Sequence, residues 1–444
     1  MSLDTLVNVT ITANTATPTQ QGFGTILIAA ALLPAGFTQR TRLYTDLTAM
    51  VSDGFAVTHP AYKIASLLKS QSPSVTQWKI GRRALPPTQT VTLKCLSAVT
   101  GTIYSIDILL PGGTTPTTIT YTVPSSSTTT TVAAAIAALI DPLAGITATS
   151  STDTITVTTT TAGQLTDFSN WNAEISVKET TADPGIATDL AAILAADNDW
   201  FGLCLDNNSK AEVVQAATWA EANRRLFGYS TSDTECGDNA VTTDVGSVLM
   251  GDNFAFSFGI FHNSQLLNWG GAGWLGEELA YSPDNTSRNW AFKTIKGLKT
   301  DAMSATVEAN VQAKNLNTYT KIGGVSITYE GKSAAGQYID ITLGIEWLRA
   351  RLKEANYTVL VNSGKVPFTQ TGIDTIEATT RGVLGRATAL PDGSQFLASY
   401  TVTPPKISQV STGDKSARRL QGVVFSGVLA GAINKLVFNG VVTP

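Results

Sequence analysis

The sequence predicts a multidomain protein of mixed α/β and α+β class: a discontinuous α/β core, a β-rich domain inserted into it, and a C-terminal α+β domain, with strand arms at the ends of the chain. Three observations carry this. Residues 21–84 and 185–300 read as strand–helix–strand units, but the stretch between them, 85–184, is dominated by Thr, Ser and Val. Residues 301–434 alternate helical periodicities with β-rich segments. The ends, 1–20 and 435–444, carry the period-two alternation of strands. A chain of 444 residues has room for roughly two to four such domains, each with its own core.

At the N-terminus, Leu6 to Thr12 sets Val7, Val9 and Ile11 against Leu6, Asn8, Thr10 and Thr12. The first core unit, Gly22 to Arg83, reads as strand, helix, strand; its helix around Tyr62 to Ser70 offers Ile64, Leu67 and Leu68 as a core face. In the insert, Thr118 to Val123 and Asp153 to Thr161 alternate strictly, and Thr131 to Asp141 is a short helix after a Ser/Thr run able to cap it. Threonine tracts also suit a glycosylated stalk, but regular Ile/Val alternation favours half-buried strands. An exposed position would suit decoration of an outer surface.

The α/β pattern resumes after Gly185. Asp199 to Asp206 reads as a buried strand, and Ser209-Lys-Ala-Glu212 as a capping box opening a helix with Val213, Val214, Ala217 and Ala220 inward. Another strand spans Asn253 to Phe261, and successive units of this kind imply parallel strands covered by helices. Ser304 to Asn315 reads as a helix and Val325 to Glu330 as a strand. Two helices follow, with Ile341, Ile345, Leu348 and Leu352 on one face of the first and Ile373, Ile376, Val383 and Ala387 on one face of the second. The close, Lys435 to Val442, places Leu436, Phe438 and Val442 opposite Val437, Asn439 and Val441. Terminal strands are tied down inside their own domain or add to the sheet edge of a neighbouring subunit.

Composition narrows the function classes. Only 14% of residues are charged against 43% hydrophobic, which suits a chain that buries surface against copies of itself. A net charge of −4 argues against nucleic acid as a general partner. From Thr401 onward, Lys406, Lys415, Arg418, Arg419 and Lys435 face Asp414 alone, and a basic end on an acidic body invites an acidic partner surface. The three cysteines, Cys95, Cys204 and Cys236, match no zinc spacing and fit a reducing compartment. Neither a secretory signal nor an apolar run long enough for a membrane span is evident.

Catalytic motifs are scarce. The two histidines, His59 and His262, sit beside apolar or aromatic residues and read as packed or capping groups. Gly271-Ala-Gly273-Trp-Leu-Gly276 satisfies the dinucleotide-binding spacing, but Trp274 is bulky for a phosphate cradle and some nine residues part the motif from its strand. Gly331-Lys332-Ser333 imitates the end of a P-loop, with Ser326 where the first glycine belongs. No catalytic residue, cofactor or metal ligand is assigned, and the chain is expected to be no enzyme.

Pro18 to Ala30 reads as a glycine-led strand, Tyr44 to Ser70 as a loop and helix, Val75 to Arg83 as a second strand ending in basic residues, and Tyr400 to Val442 as a set of closing strands. In this layout the chain resembles the contractile tail sheath proteins of bacteriophages. The resemblance is one of pattern over the first 84 and last 150 or so residues; the insert departs from it. It implies a subunit that forms hexameric rings stacked helically around a tail tube, meets baseplate and tail terminator proteins, and contracts to drive the tube through a host envelope. Neither nucleic acid nor membrane insertion is expected, and the location implied is the virion, after assembly in the host cytoplasm. On this reading the strand arms (Val7, Val9, Ile11, Leu436, Phe438, Val442) join subunits, and Lys415, Arg418 and Arg419 touch the tube or a neighbour. A receptor-binding module using the insert, or a nucleotide-dependent enzyme using Gly271 to Gly276, are the alternatives.

Overall fold

The structure, a computed structural model, describes residues 20–34, 37, 39–83, 88–111, 115–161, 166–172, 174–179, 185–262 and 269–439. It divides into two compact units, one of residues 22–283 and 288–343, the other containing residues 20–21, 284–287 and 344–439. The N-terminal strand proposed around Val7, Val9 and Ile11 lies outside the described residues, as does Val442.

The first unit opens with β1 (Ile26–Ala30), β2 (Thr41–Tyr44), α1 (Leu47–Ser52), α2 (Pro60–Ser70) and β3 (Trp78–Arg82). Pro60 stands at the first position of α2, where its missing N–H costs nothing, and Ile64, Leu67 and Leu68 are buried as the periodicity requires. The chain then builds β4 (Thr90–Cys95), β5 (Ile103–Leu109), β6 (Thr117–Thr122), α3 (Thr129–Ile140), β7 (Ile146–Ser151), β8 (Thr154–Thr159), β9 (Asp167–Ser169) and β10 (Ile175–Glu179). These form a four-stranded sheet, β10-β4-β8-β7, and a three-stranded sheet, β6-β5-β9. Val91, Leu93, Ile155, Val157 and Ile146 share a hydrophobic cluster with Val132, Ile136 and Ile140 of α3. Alternation puts Thr90 and Thr92 of β4 and Thr154, Thr156 and Thr158 of β8 on the other face, with Thr159 alone of these threonines on the buried side, which is why a Thr-rich sequence makes a packed domain. Thr128 caps α3: its hydroxyl accepts from Thr131 N–H at 3.2 Å, and Thr131 Oγ1 accepts from Thr128 N–H at 2.9 Å.

The chain then continues through α4 (Ile186–Ala196), β11 (Gly202–Leu205), α5 (Lys210–Asn223), β12 (Leu226–Thr231), α6 (Val245–Gly251), β13 (Ser257–Phe261), α7 (Gly270–Leu279), α8 (Ala305–Ala313), β14 (Asn317–Ile322) and β15 (Val325–Tyr329). The core sheet runs β15-β14-β13-β12-β11-β1-β3-β2. Its six inner strands are parallel, and β15 and β2 pair antiparallel at the edges. The expected boundary at residue 300 is therefore corrected: α8, β14 and β15 belong to the core unit, which runs to residue 343. Some 55 residues, with no strand among those described, separate β13 from β14, and that gap hid the continuation of the sheet. Phe258, Trp274 and Trp290 pack together with ring centroids 5.2 to 5.7 Å apart, each pair adding about 0.5–1.5 kcal/mol beyond its area. Buried Lys314 donates to the carbonyls of Glu235, Asp238 and Val241 and to Asp244 Oδ2, all within 2.9 Å, and so holds a polar loop together.

In the second unit, residues 344–362 of α9 (Ile339–Asn362) are followed by α10 (Gln370–Ala387), β16 (Leu397–Thr403), α11 (Thr412–Ser416) and β17 (Val424–Leu429). Trp347 and Leu348 are buried, whereas Ile345, expected inward, is 38% exposed. The buried face instead includes Arg351, which donates to both carboxylate oxygens of Asp284 at 2.7 and 2.6 Å.

Candidate interaction surface

The second unit presents its C-terminal end on a two-stranded sheet. Ile373, Val383, Leu384 and Ala387 form the buried face of α10, and β16 sends Leu397 and Val402 inward. Arg381 ties the two elements, donating from Nη2 to the Val402 carbonyl at 2.8 Å. The register of β17 against β16 runs from Thr403↔Val424 to Leu397↔Leu429, with an irregularity at Leu397/Ser399.

Every residue of β17 is exposed. Among the described residues β17 pairs with β16 alone, so its outer edge presents unpaired backbone groups. Val424 and Val428 stand 62% and 60% exposed on one side, with Phe425 and Leu429 on the other. The apolar character runs on through Ile433, Leu436, Val437 and Phe438, the last 87% exposed. Ala430 N–H still donates to the Phe396 carbonyl at 3.0 Å, and residues 431–439 lie in no strand among the described residues. The period-two pattern at Leu436 and Phe438 therefore has no partner strand within the described chain. A two-stranded ribbon is marginal alone, and burying eight large apolar side chains gives a gross gain of roughly 1.5–3 kcal/mol each.

The three basic residues nearby are used differently. Arg419 Nη2 donates to Asp414 Oδ1 at 3.0 Å, and Gln421 and Ser411 also donate to the Asp414 carboxylate. Those bonds, first the Ser411 hydroxyl and then Arg419, hold the Asp414 carboxyl below its usual range. Arg418 is exposed and has the left-handed backbone (φ 53°) that ends the short helix α11, a conformation unfavourable for a side chain with a Cβ. Lys415 is in the last turn of α11. Arg418 thus faces solvent while Arg419 is engaged within its own loop.

The remaining candidates are structural. Gly271, Gly273 and Gly276 lie inside buried helix α7, not in a loop before a helix. A Cβ on Gly271 would stand 2.3 Å from Tyr229 N, so this glycine lets the helix approach the sheet closely, while Gly273 and Gly276 make room for Leu67 and Leu68 of α2. His59 precedes α2 without capping it through its side chain, and burial lowers the pKa of His59 and His262 alike. All three cysteines are free and buried. Burial pushes the Cys95 thiol up to about 11 and raises Cys204 and Cys236 as well, keeping them in the unreactive thiol form. Among the described residues no His/Cys/Asp/Glu group could hold a metal ion, and no helix is long and apolar enough to cross a membrane.

No protein-family model matches this sequence, and neither does any curated protein. Among solved structures, a chain of the anti-feeding prophage (AFP) baseplate in contracted state, determined by cryo-EM, superposes with a TM-score of 0.55. The match covers 98% of this chain and 97% of that one, at 9% sequence identity. The two chains share a fold. Since almost the full length of each is covered, the likeness takes in both units described above.

Proposed function

We propose that this chain is a structural, non-enzymatic subunit of a contractile phage tail, and specifically of its sheath. The observation that carries the reading is the open apolar edge of β17, continued by the exposed apolar side chains of Ile433, Leu436, Val437 and Phe438, on a fold shared end to end with a chain of a contracted prophage baseplate. A sheath lattice needs a surface of this kind, because a strand added from another subunit satisfies the edge and covers its side chains. Rings of such subunits around a tube, able to pass between discrete packings, would contract on energy drawn from new subunit contacts. Lys415 and Arg418 offer charge to an acidic tube or neighbour.

Negative-stain electron microscopy of the purified protein over a concentration series, alone and co-expressed with a tube protein, tests this. Stacked rings or hollow tubes are expected. Because the matched structure is a baseplate, the second reading is a baseplate component; discrete particles that never extend along the tube would favour it over the sheath. A chain that stays monomeric under every condition would count against both.

A further inference from the structure

Strands β3 and β11 lie on opposite sides of β1, and at the carboxyl ends of the three strands the chain parts, the place where an open parallel sheet collects polar groups. Three charged side chains fill it. Arg83, at the end of β3 where the chain leaves for the inserted domain, is 2% exposed; Asp206, after β11, is 2% and Glu212, in the first turn of α5, is 0%. Arg83 Nη1 donates to Glu212 Oε2 at 2.8 Å and lies 3.5 Å from Asp206 Oδ1. Asp206 Oδ2 accepts from the backbone N–H groups of Ala31 and Leu32 at 2.8 and 3.1 Å. Ser209 opens α5 with the side-chain half of a capping box, but Glu212 turns its carboxylate to Arg83 instead of closing the box.

The charges do not balance, since one guanidinium faces two carboxylates. Asp189 of α4 adds a further negative charge felt by Arg83, with Arg40 3.5 Å from it at the solvent side. Cys204, beside Asp206, is a thiol that burial holds neutral. Asp206 Oδ1 and Glu212 Oε1, and on the basic side Arg83 Nε and Nη2, lack a well-formed hydrogen bond among the described residues, and Asn207 gives the Glu212 carboxyl a further, weaker polar neighbour that acts against protonation. An excess buried charge of this kind is removed most simply by taking up a proton. Burial acts in that direction on both carboxyls, ahead of the attraction of Arg83.

We propose that Asp206 and Glu212 together hold one proton in the folded chain, and that this pair, closed on Arg83, is a proton-linked latch fastening the root of the inserted domain to the core sheet. The proton comes from solvent and belongs to the pair, not to either residue. For carboxyls raised above their unfolded values, the stabilisation is complete below the unfolded pKa and is lost as pH rises through the folded one. The latch is therefore closed in mild acid and loosens toward alkaline pH.

Thermal unfolding of the full chain from mildly acidic to mildly alkaline pH, for wild type, Glu212→Gln and Asp206→Asn, tests the proton. The wild-type midpoint falls as pH rises, and either amide flattens that fall, because each removes the excess charge permanently. Parallel slopes in all three proteins overturn the proposal. Infrared difference spectra of the wild type give a readout that requires no variant to fold: a protonated-carboxyl band that bleaches in step with the lost stability, its absence throughout being fatal to the idea. Hydrogen exchange, corrected for the intrinsic effect of pH, tests the fastening. Protection at residues 79–83 and 186–193 falls in the same pH window, while unchanged protection there means the pair fastens nothing.

Discussion

At the residue scale, the glycines of α7 separate a spacing motif from its meaning. Gly271 satisfies the pattern of a phosphate loop, yet its Cα hydrogens face the backbone of β12, where an added Cβ would lie 2.5 Å from Tyr229 O. Gly271→Ala is expected to destabilise by about 3 kcal/mol, since overpacking against backbone cannot be relieved by a side-chain rotation and outweighs the gain of ~1 kcal/mol in helix propensity. Gly382 is the control: it is exposed in α10 with nothing within 4 Å of its would-be Cβ, so Gly382→Ala should stabilise by about 0.5–1 kcal/mol. Chemical denaturation of both variants reads the two signs. The Arg418/Arg419 pair divides in the same way. Arg418→Glu should weaken attachment to the tube, as measured by co-sedimentation, and leave the unfolding midpoint unchanged, whereas Arg419→Glu breaks the Asp414 loop and disturbs that loop first. Equal effects of the two on attachment would show that the loop's conformation matters, not the charge at Arg418.

At the element scale, β17 and the residues after it decide between a strand tied down in its own domain and one that reaches another subunit. Deleting Lys435 to Pro444 removes no buried side chain among the described residues, so the monomer's unfolding midpoint should hold while assembly by light scattering is lost. Val428→Lys, at a 60% exposed position, should cost the monomer under about 0.5 kcal/mol and also reduce assembly. Tubes built by the deleted chain at wild-type concentration would remove the arm from the proposal. What the sequence made legible were elements with one wet face: β8, with Ile155 and Val157 buried between threonines, and α2, with its Ile64/Leu67/Leu68 stripe. Cover on both faces removes that alternation: β11 and β13, buried throughout, still read as strands from their apolar runs, but the sequence is silent at β12. β12 (LFGYST) is buried at every position and shows no alternation, and Ile345 lies outward because Trp347 and Arg351 take the buried side of α9. The Arg83 cluster was hidden too, since its members come from sequence positions over a hundred residues apart and only the fold brings them together.

At the scale of the whole molecule, the inserted domain is separable in its packing. Its hydrophobic cluster is drawn wholly from residues between Val91 and Val177, and the cluster under α4 and α5 uses none of them. Its two roots lie near each other, for Asp189 in the first turn of α4 is within electrostatic reach of Arg83. Replacing residues 85–184 by a short Gly/Ser linker should therefore leave a soluble chain with a cooperative transition, because each hydrophobic core keeps all its members. Residues 88–179 expressed alone should likewise fold, which circular dichroism and a thermal melt would report. If the insert only decorates the outside of a lattice, the excised chain still polymerises on a tube. If both pieces fold but the excised chain no longer assembles, the insert takes part in subunit contacts and its exposed threonine faces become the surface to probe. Binding of the isolated insert to host cells would instead assign it the role of an adhesin carried on a structural subunit.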